Sequence, residues 1–404
     1  MPRAEPTPGD LVRNYREQKN WSRQRLAREM HKSVSWLSQV ERGEQALTDI
    51  HLLGRLTTLL GAPLQEFIEA TLGPDSDTFR NRPYVEKLRL ALAGHPAPES
   101  ITATDEEIRC DVPSLRARTL HTWQQVHASA YRELGPTLAV LLTDLEVASR
   151  TCGDDQRVEV LPLLAQTYQV AAAMLVKVGD HGAGWVAADR AIAAGERCHD
   201  PALVLAGQLR MARTLLDSHE KALARHVLTQ ATLRREAIIA EGKPGPISLV
   251  GSSALLLAVI HARDANTAAA ERSLTVARQL AGALGGDCNY HDTEFGPTNV
   301  TMHAVHVAVE LGNGQQALDR SARLQQIEHM SAERQTRYLI DIARAHVLTR
   351  SSRQALLTLI RAEQIAPEEL AELPLVATVI DDIEAISGRT RIPGLRELRQ
   401  RLYG

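Results

Sequence analysis

The chain has 404 residues, enough for two or three ordinary domains with sizeable cores. Hydrophobic residues make up 44% and charged residues 24%, globular values that exclude extensive disorder. The formal net charge of −3 excludes a uniformly basic coat for nucleic acid but allows one basic face. Aromatics are only 3%, which disfavours a large β sandwich or barrel and, with abundant Ala, Leu and Arg, favours helices. Only 6 of the 46 basic residues are Lys, a skew expected from the codon bias of a high-GC genome. No run of about 18 apolar residues suggests a membrane span. The start, MPRAEPTPGD, has no apolar stretch of a secretory signal. A cytoplasmic location is expected, with Cys110, Cys152, Cys198 and Cys288 as scattered, reduced thiols.

Residues 1–9 read as a Pro-containing arm. Short helical patterns follow over 10–72. GPDSDTFRNRP at 73–83 reads as a linker, and HPAPESITAT at 95–104 as a second weak point. From about Asp105 onward, amphipathic stretches alternate with short turns, as in Leu161, Leu164, Ala165, Tyr168, Ala172 and Leu175 at helical spacing. No alternating run of β-branched residues competes. The expected architecture is all-α, with domains at 1–72 and 105–404 and, between them at 73–104, a linker with a short helix.

In the N-terminal part, the first helix is expected over 11–18. Ser22 can cap a second over 23–30, and a turn at His31-Lys32 follows. Ser33 can cap a third over 34–41, which Gly43 stops. Thr48 or Asp49 starts a fourth, ending at Gly61. Pro63 opens a fifth over 64–72. Leu26, Ala27, Leu37 and Val40 can pack the second and third into a helix-turn-helix. Over residues 11–55 there are 9 basic and 5 acidic residues, a local excess of positive charge.

The segment SRQRLAREMHKSVSWLSQVERGE resembles the helix-turn-helix of the lambda-repressor/Cro type, also called the xenobiotic-response-element type. Leu26-Ala27, Ser33, Leu37-Ser38 and Glu41-Arg42-Gly43 carry the likeness. It extends through LTDIHLLGRLTTLLGAPLQEFIEA, to about residue 72. Two positions depart from the pattern. His31 stands where the turn usually has Gly, and Arg23 where the second helix usually starts with a phosphate-binding Gln. The resemblance implies a double-stranded DNA partner, with the third helix entering the major groove. The base-facing positions then fall on Val34, Ser35 and Gln39. Gln can pair adenine bidentately, Ser can donate or accept, and Val can touch a thymine methyl. Arg23, Arg25, Lys32 and Arg42 become phosphate candidates, with Ser33 at the helix start. The family's structural pair of Arg and Glu maps onto Arg16 and Glu41. Trp36 reads as a packing residue rather than a base reader.

Beyond residue 105 a turn recurs, in which a helix ends at Gly or Asp and a small residue opens the next. Aligning Gly184, Ala222, Ala269, Ala317 and Ala355 gives spacings of 38, 47, 48 and 38 residues. The pattern resembles a degenerate tetratricopeptide solenoid with units longer than the usual ~34 residues. Stacked helix pairs of that kind build a concave groove. Such a groove can hold a peptide or small-molecule effector, or the array can serve only to make a homodimer. The layout resembles regulators abundant in high-GC Gram-positive bacteria, and more remotely peptide-pheromone receptors that clamp peptides with Asn side chains. Asn299 is the candidate for that role here.

The polar insertion GGDCNYHDTEFGPTN at 285–299 interrupts the array. Long loops inside compact domains are often functional. Tyr290, His291, Asp292, Glu294, Asn299 and His303 are candidate effector contacts. A plain connecting loop capped by Thr298 is the alternative. Cys288, His291, His303 and His306 have spacings a zinc ion can use, yet 15 His residues produce many such spacings by chance; no metal and no cofactor is expected. No phosphate loop, dinucleotide fingerprint, zinc-protease helix or nucleophile elbow occurs, so no enzyme is expected. The sequence therefore reads as a dimeric, sequence-specific transcriptional regulator. The alternative is a protein-interaction scaffold whose helix-turn-helix binds DNA weakly and without sequence preference.

Overall fold

Thr7 opens the first helix of the computed structural model, α1 (Pro8–Gln18). Its hydroxyl accepts from the Asp10 N–H at 3.2 Å, and the Asp10 carboxylate accepts from the Thr7 N–H at 3.2 Å. This capping box, with Pro8 in the first turn, starts the helix three residues before the expected Leu11. The structure describes residues 7–30, 32, 34–42, 55–57, 59–62, 67, 83–93, 111–218, 220–233, 235–324, 326–387 and 392–403. The expectations for His31, Ser33, Gly43, Thr48, Asp49, Pro63, the polar stretches 73–82 and 95–104, and Cys110 lie outside these residues, as does the Ser35 side chain. The chain forms two units, Met1–Thr78 and Phe79–Gly404.

In the first unit, α1 is followed by α2 (Arg23–Glu29) and α3 (Val34–Glu41). Leu11, Val12, Leu26, Ala27, Met30, Leu37, Val40, Leu56, Leu60 and Phe67 form its core. Gly9 lets α1 approach the end of α3 closely: a Cβ there would sit 2.4 Å from the Val40 carbonyl oxygen.

The second unit is helical throughout its described residues, apart from an isolated bridge between Cys288 and Phe295. It opens with α4 (Pro83–Ala93). The sequence places that helix in a linker, but Tyr84, Val85, Leu88 and Leu92 are buried in the core. Its Tyr84 ring lies against Gly135, where any Cβ would overlap it. Helices then alternate between two layers. The inner ones are α5 (Val112–His127), α7 (Asp154–Lys177), α9 (Pro201–Asp217), α12 (Pro244–Arg263), α14 (Pro297–Glu310), α16 (Ala332–Leu348) and α19 (Pro374–Ser387). The outer ones are α6 (Tyr131–Thr151), α8 (His181–Arg197), α10 (Lys221–Thr232), α13 (Thr267–Leu284), α15 (Gly314–Ser321) and α17 (Ser352–Ile365). Short α11 (Arg235–Glu241), α18 (Pro367–Glu372) and α20 (Leu395–Tyr403) complete the unit. Each inner helix packs on the next inner helix, and α16 returns to touch α5.

One turn builds most of these pairs. Ser129, Gly179, His199, Ala265, Gly312 and Arg350 each adopt positive φ between 52° and 76°. The following residue donates its N–H to the carbonyl five positions back, as in Asp180 to Leu175 and Asn313 to Ala308, both 2.8 Å. That bond ends one helix and delivers the N-cap of the next. Asp180, Asp200 and Asn266 then cap with their side chains. Glycine relieves the left-handed strain at 179 and 312. The other four positions carry about 1 kcal/mol each.

In the outer helices α8, α10, α13, α15 and α17 the fourth residue is small and buried: Gly184, Ala224, Ala270, Ala317 and Ala355. This corrects the register at two units, where Ala224 and Ala270 replace Ala222 and Ala269; Ala222 is exposed. The spacings become 40, 46, 47 and 38 residues. The two long units hold the inserted α11 and the 285–296 loop. Two helices, α7 and α12, are long and apolar enough to cross a membrane, contrary to the sequence reading, but 72% and 83% of their apolar windows are buried within the unit. Cys152 is disulfide-bonded, against the expectation of four reduced thiols; Cys198 and Cys288 are free.

Candidate nucleic-acid interface

Ser22 caps α2, its hydroxyl accepting from the Arg25 N–H at 3.2 Å. After α2 the Lys32 N–H donates to the Ala27 carbonyl at 2.9 Å, the same five-residue back-bond that joins the helices of the second unit. α3 buries Leu37 and Val40 and turns the other face outward, with Val34 43% exposed and Gln39 exposed. Lys32 and Arg42 flank that face. The Lys32 ammonium lies 5.6 Å from the Trp36 ring centroid, and Arg42 donates to the Ser38 hydroxyl at 3.3 Å. The half-buried Trp36 packs at the edge of the core, as expected. The Arg25 guanidinium lies over the Trp21 ring, 4.4 Å from its centroid, which holds an exposed cation at the start of α2.

Glu41, 2% exposed, holds this frame together. Arg16 donates to its two carboxylate oxygens at 2.6 and 3.1 Å, the expected structural pair. Arg13 donates to its backbone carbonyl at 2.7 Å. Burial opposes the Glu41 charge, but hydrogen bonds from Arg16 and Arg23 and their attraction outweigh it and hold the carboxyl below its ordinary value. The Arg23 bond, Nε to Glu41 at 2.6 Å, was not expected. Arg23 is part of the scaffold through Nε, while its side chain remains 46% exposed. The signal was the Arg at a position where the resembled family has Gln: only a longer cationic side chain can reach the buried acid. At the other end of α2, Arg55 donates to the Glu29 carbonyl at 2.8 Å, which suits a helix C-terminus.

The candidate effector residues divide. Tyr290 is 44% exposed. The His291 ring lies over Gly245, its Nε2 2.8 Å from where a Cβ there would be, and burial lowers its pKa. Asp292 meets His127 at 3.3 Å. Glu294 accepts from the N–H and hydroxyl of Ser331, both 2.7 Å, and so caps α16. Asn299, 1% exposed, donates to the Glu294 carbonyl at 2.8 Å. His303 bonds the Asn299 carbonyl through Nδ1 at 3.0 Å, and burial pulls its pKa down to about 3. His306 turns instead to Asp341 at 2.9 Å. The described residues hold no group of three or more metal-binding side chains.

The sequence reading missed most of the polar lining that these residues meet. His127 of α5, Lys177 of α7, Arg210 and Arg213 of α9, Glu333, Arg334 and Arg337 of α16, and Glu369 of α18 form one chain of charged neighbours, with Asp292 between His127 and Arg210. Several of its members form ion pairs. Lys177 pairs with Glu333 and, at 3.2 Å, with Glu369; Arg337 pairs with Glu369 at 3.0 Å and Arg213 with Asp217 at 3.5 Å. The one available signal was the charged stripe Glu333, Arg334, Arg337, Asp341 and Arg344 along α16.

A family described as a helix-turn-helix domain matches residues 9–69. That match joins the geometry of α2, its closing turn and α3. Residues 9–69 are a helix-turn-helix domain. No curated protein matches the chain. Among solved structures, the crystal structure of Bacillus thuringiensis PlcR in complex with the peptide PapR7 and DNA is similar at 14% identity, over 70% of this chain and 96% of that one, with a TM-score of 0.31.

Proposed function

We propose that this chain is a cytoplasmic, sequence-specific DNA-binding transcriptional regulator, with a helix-turn-helix of the lambda-repressor/Cro type, and not an enzyme. The observation that carries the reading is the outward face of α3. Val34 and Gln39 stand exposed on a helix whose far end is locked by the buried Glu41, between cations Lys32 and Arg42. A rigid helix with a polar reader and flanking cations is what major-groove readout requires. Arg23 and Arg25, each fixed by one partner, would meet phosphates with little entropy left to lose.

The helical-repeat unit would set the geometry of a homodimer, placing two α3 helices about one DNA turn apart or a multiple of it. The charged side chains of its inner helices would hold an effector, which can act only by favouring one arrangement over another. Selection from a pool of random-sequence duplexes by the full-length protein at near-physiological salt tests the reading. A recurrent motif with two-fold symmetry supports it. Equal recovery of all sequences, with affinity that follows salt alone, contradicts it and favours the scaffold.

A further inference from the structure

The loop between α13 and α14 is anchored at its ends. The Cys288 N–H donates to the Phe295 carbonyl at 3.1 Å, and Phe295 is fully buried against Gly251, where any Cβ would overlap its ring. Between these anchors, residues 289–294 rest on the inner helices. Their backbone carbonyls are taken in order by side chains from three of them. Arg210 of α9 donates to the carbonyls of His291 at 3.4 Å and Asp292 at 3.2 Å. Arg334 of α16 donates to Thr293 at 3.3 Å. Asn299 of α14 donates to Thr293 at 3.4 Å and Glu294 at 2.8 Å.

Four consecutive carbonyls are therefore read by donors that lie outside the segment. The segment itself is strained: His291, Asp292 and Glu294 all adopt positive φ, between 45° and 55°, without being glycine. The donors are incompletely used. Arg210 Nε has no hydrogen-bond partner, and neither has the indole N–H of Trp123, 4% exposed, over which Arg210 stacks at 4.8 Å. Burial pulls the Arg210 pKa down to about 10, against the attraction of Asp292 and Glu333.

We propose that residues 289–294 are an intramolecular occupant of a ligand site on the inner face, built from Arg210, Asn299, Arg334 and Trp123, and that an external ligand must displace them to enter. The site is a set of donors, so it selects an acceptor-rich ligand, one presenting carbonyl or carboxylate oxygens in a row. Because the same loop reaches α5 through His127 and α16 through Ser331, displacing it also releases a link between the two ends of the array. The inference rests on and deepens the effector reading of the repeat unit, and its test uses no DNA, so either can fail alone.

The test compares the full chain with a variant in which residues 289–294 become a glycine–serine run of equal length, leaving Cys288 and Phe295 in place. The probe is a synthetic peptide of residues 287–296 carrying Cys288→Ser, titrated by calorimetry. The expected result is binding to the variant at least tenfold tighter than to the wild type, lost again when Arg210→Ala is added. Three results would overturn the proposal: equal binding to both proteins, no binding to a variant with native helical circular dichroism, or loss of that dichroism. The last would mean that the loop is a structural keystone rather than an occupant.

Discussion

The Ser129 hydroxyl donates to the Glu369 carboxylate at 2.6 Å, across 240 residues of chain. Lys177 and Arg337 share the same carboxylate at 3.2 and 3.0 Å, and Glu369 is only 2% exposed. The first and last inner turns of the helical array are thus joined around one buried acid.

Removing that acid leaves Arg337 without its carboxylate and Lys177 with Glu333 alone. Glu369→Ala is expected to destabilise the second unit by about 3–5 kcal/mol, the usual cost of breaking a buried pair on one side. Glu369→Gln keeps an acceptor for Ser129 and should lose less. Thermal melting followed by circular dichroism checks the order: wild type, then Gln, then Ala. Equal melting of all three contradicts a joining role.

In the first unit, Arg23 has one edge bonded to Glu41 and another exposed, which the proposed function turns toward DNA. Arg23→Ala is expected to weaken DNA binding to all sequences alike and to flatten the salt dependence by roughly one phosphate's worth of slope. A salt titration of binding, done beside a melting curve to show that the domain stays folded, checks this. A change in sequence preference would place Arg23 on a base instead.

His303 makes stability depend on pH. Its folded pKa, about 3, lies below the unfolded value of about 6.5. Above pH 6.5 both states are neutral at this site. As pH falls below 6.5 the unfolded chain gains a proton that the folded chain refuses, so stability declines toward pH 3, at up to about 1.4 kcal/mol per pH unit. The expected outcome is a fall in melting temperature between pH 6.5 and 5 that His303→Gln reduces. An unchanged slope in the variant contradicts it.

What the sequence revealed followed from local rules. Ser22 as a cap, the apolar pairs of α2 and α3, and the Arg16–Glu41 bond are all set within a few turns of chain or by a recognisable motif. The all-α class followed from helical spacing alone. What it concealed depends on distant partners. Tyr84 reads as part of a short linker helix until Gly135 offers it a place. The repeat register slipped at Ala222 because Ala222 and Ala224 both offer a small residue, and only the start of the helix at Lys221 decides between them. Arg210 and Glu369 carry no motif; their roles come from a fold that brings residues 81 to 240 positions apart together.

The central claim is that α3 reads base sequence through its outward face. Gln39→Ala should cost about 1–3 kcal/mol at the site it contacts and little elsewhere. The most direct measurement is capture of fragmented genomic DNA by the full-length protein at near-physiological salt, with Gln39→Ala alongside, followed by sequencing. The account predicts an enriched motif of two related half-sites for the wild type, with discrimination lost at one position of each half-site in the variant. The same enrichment in both proteins, or none in either, would contradict it.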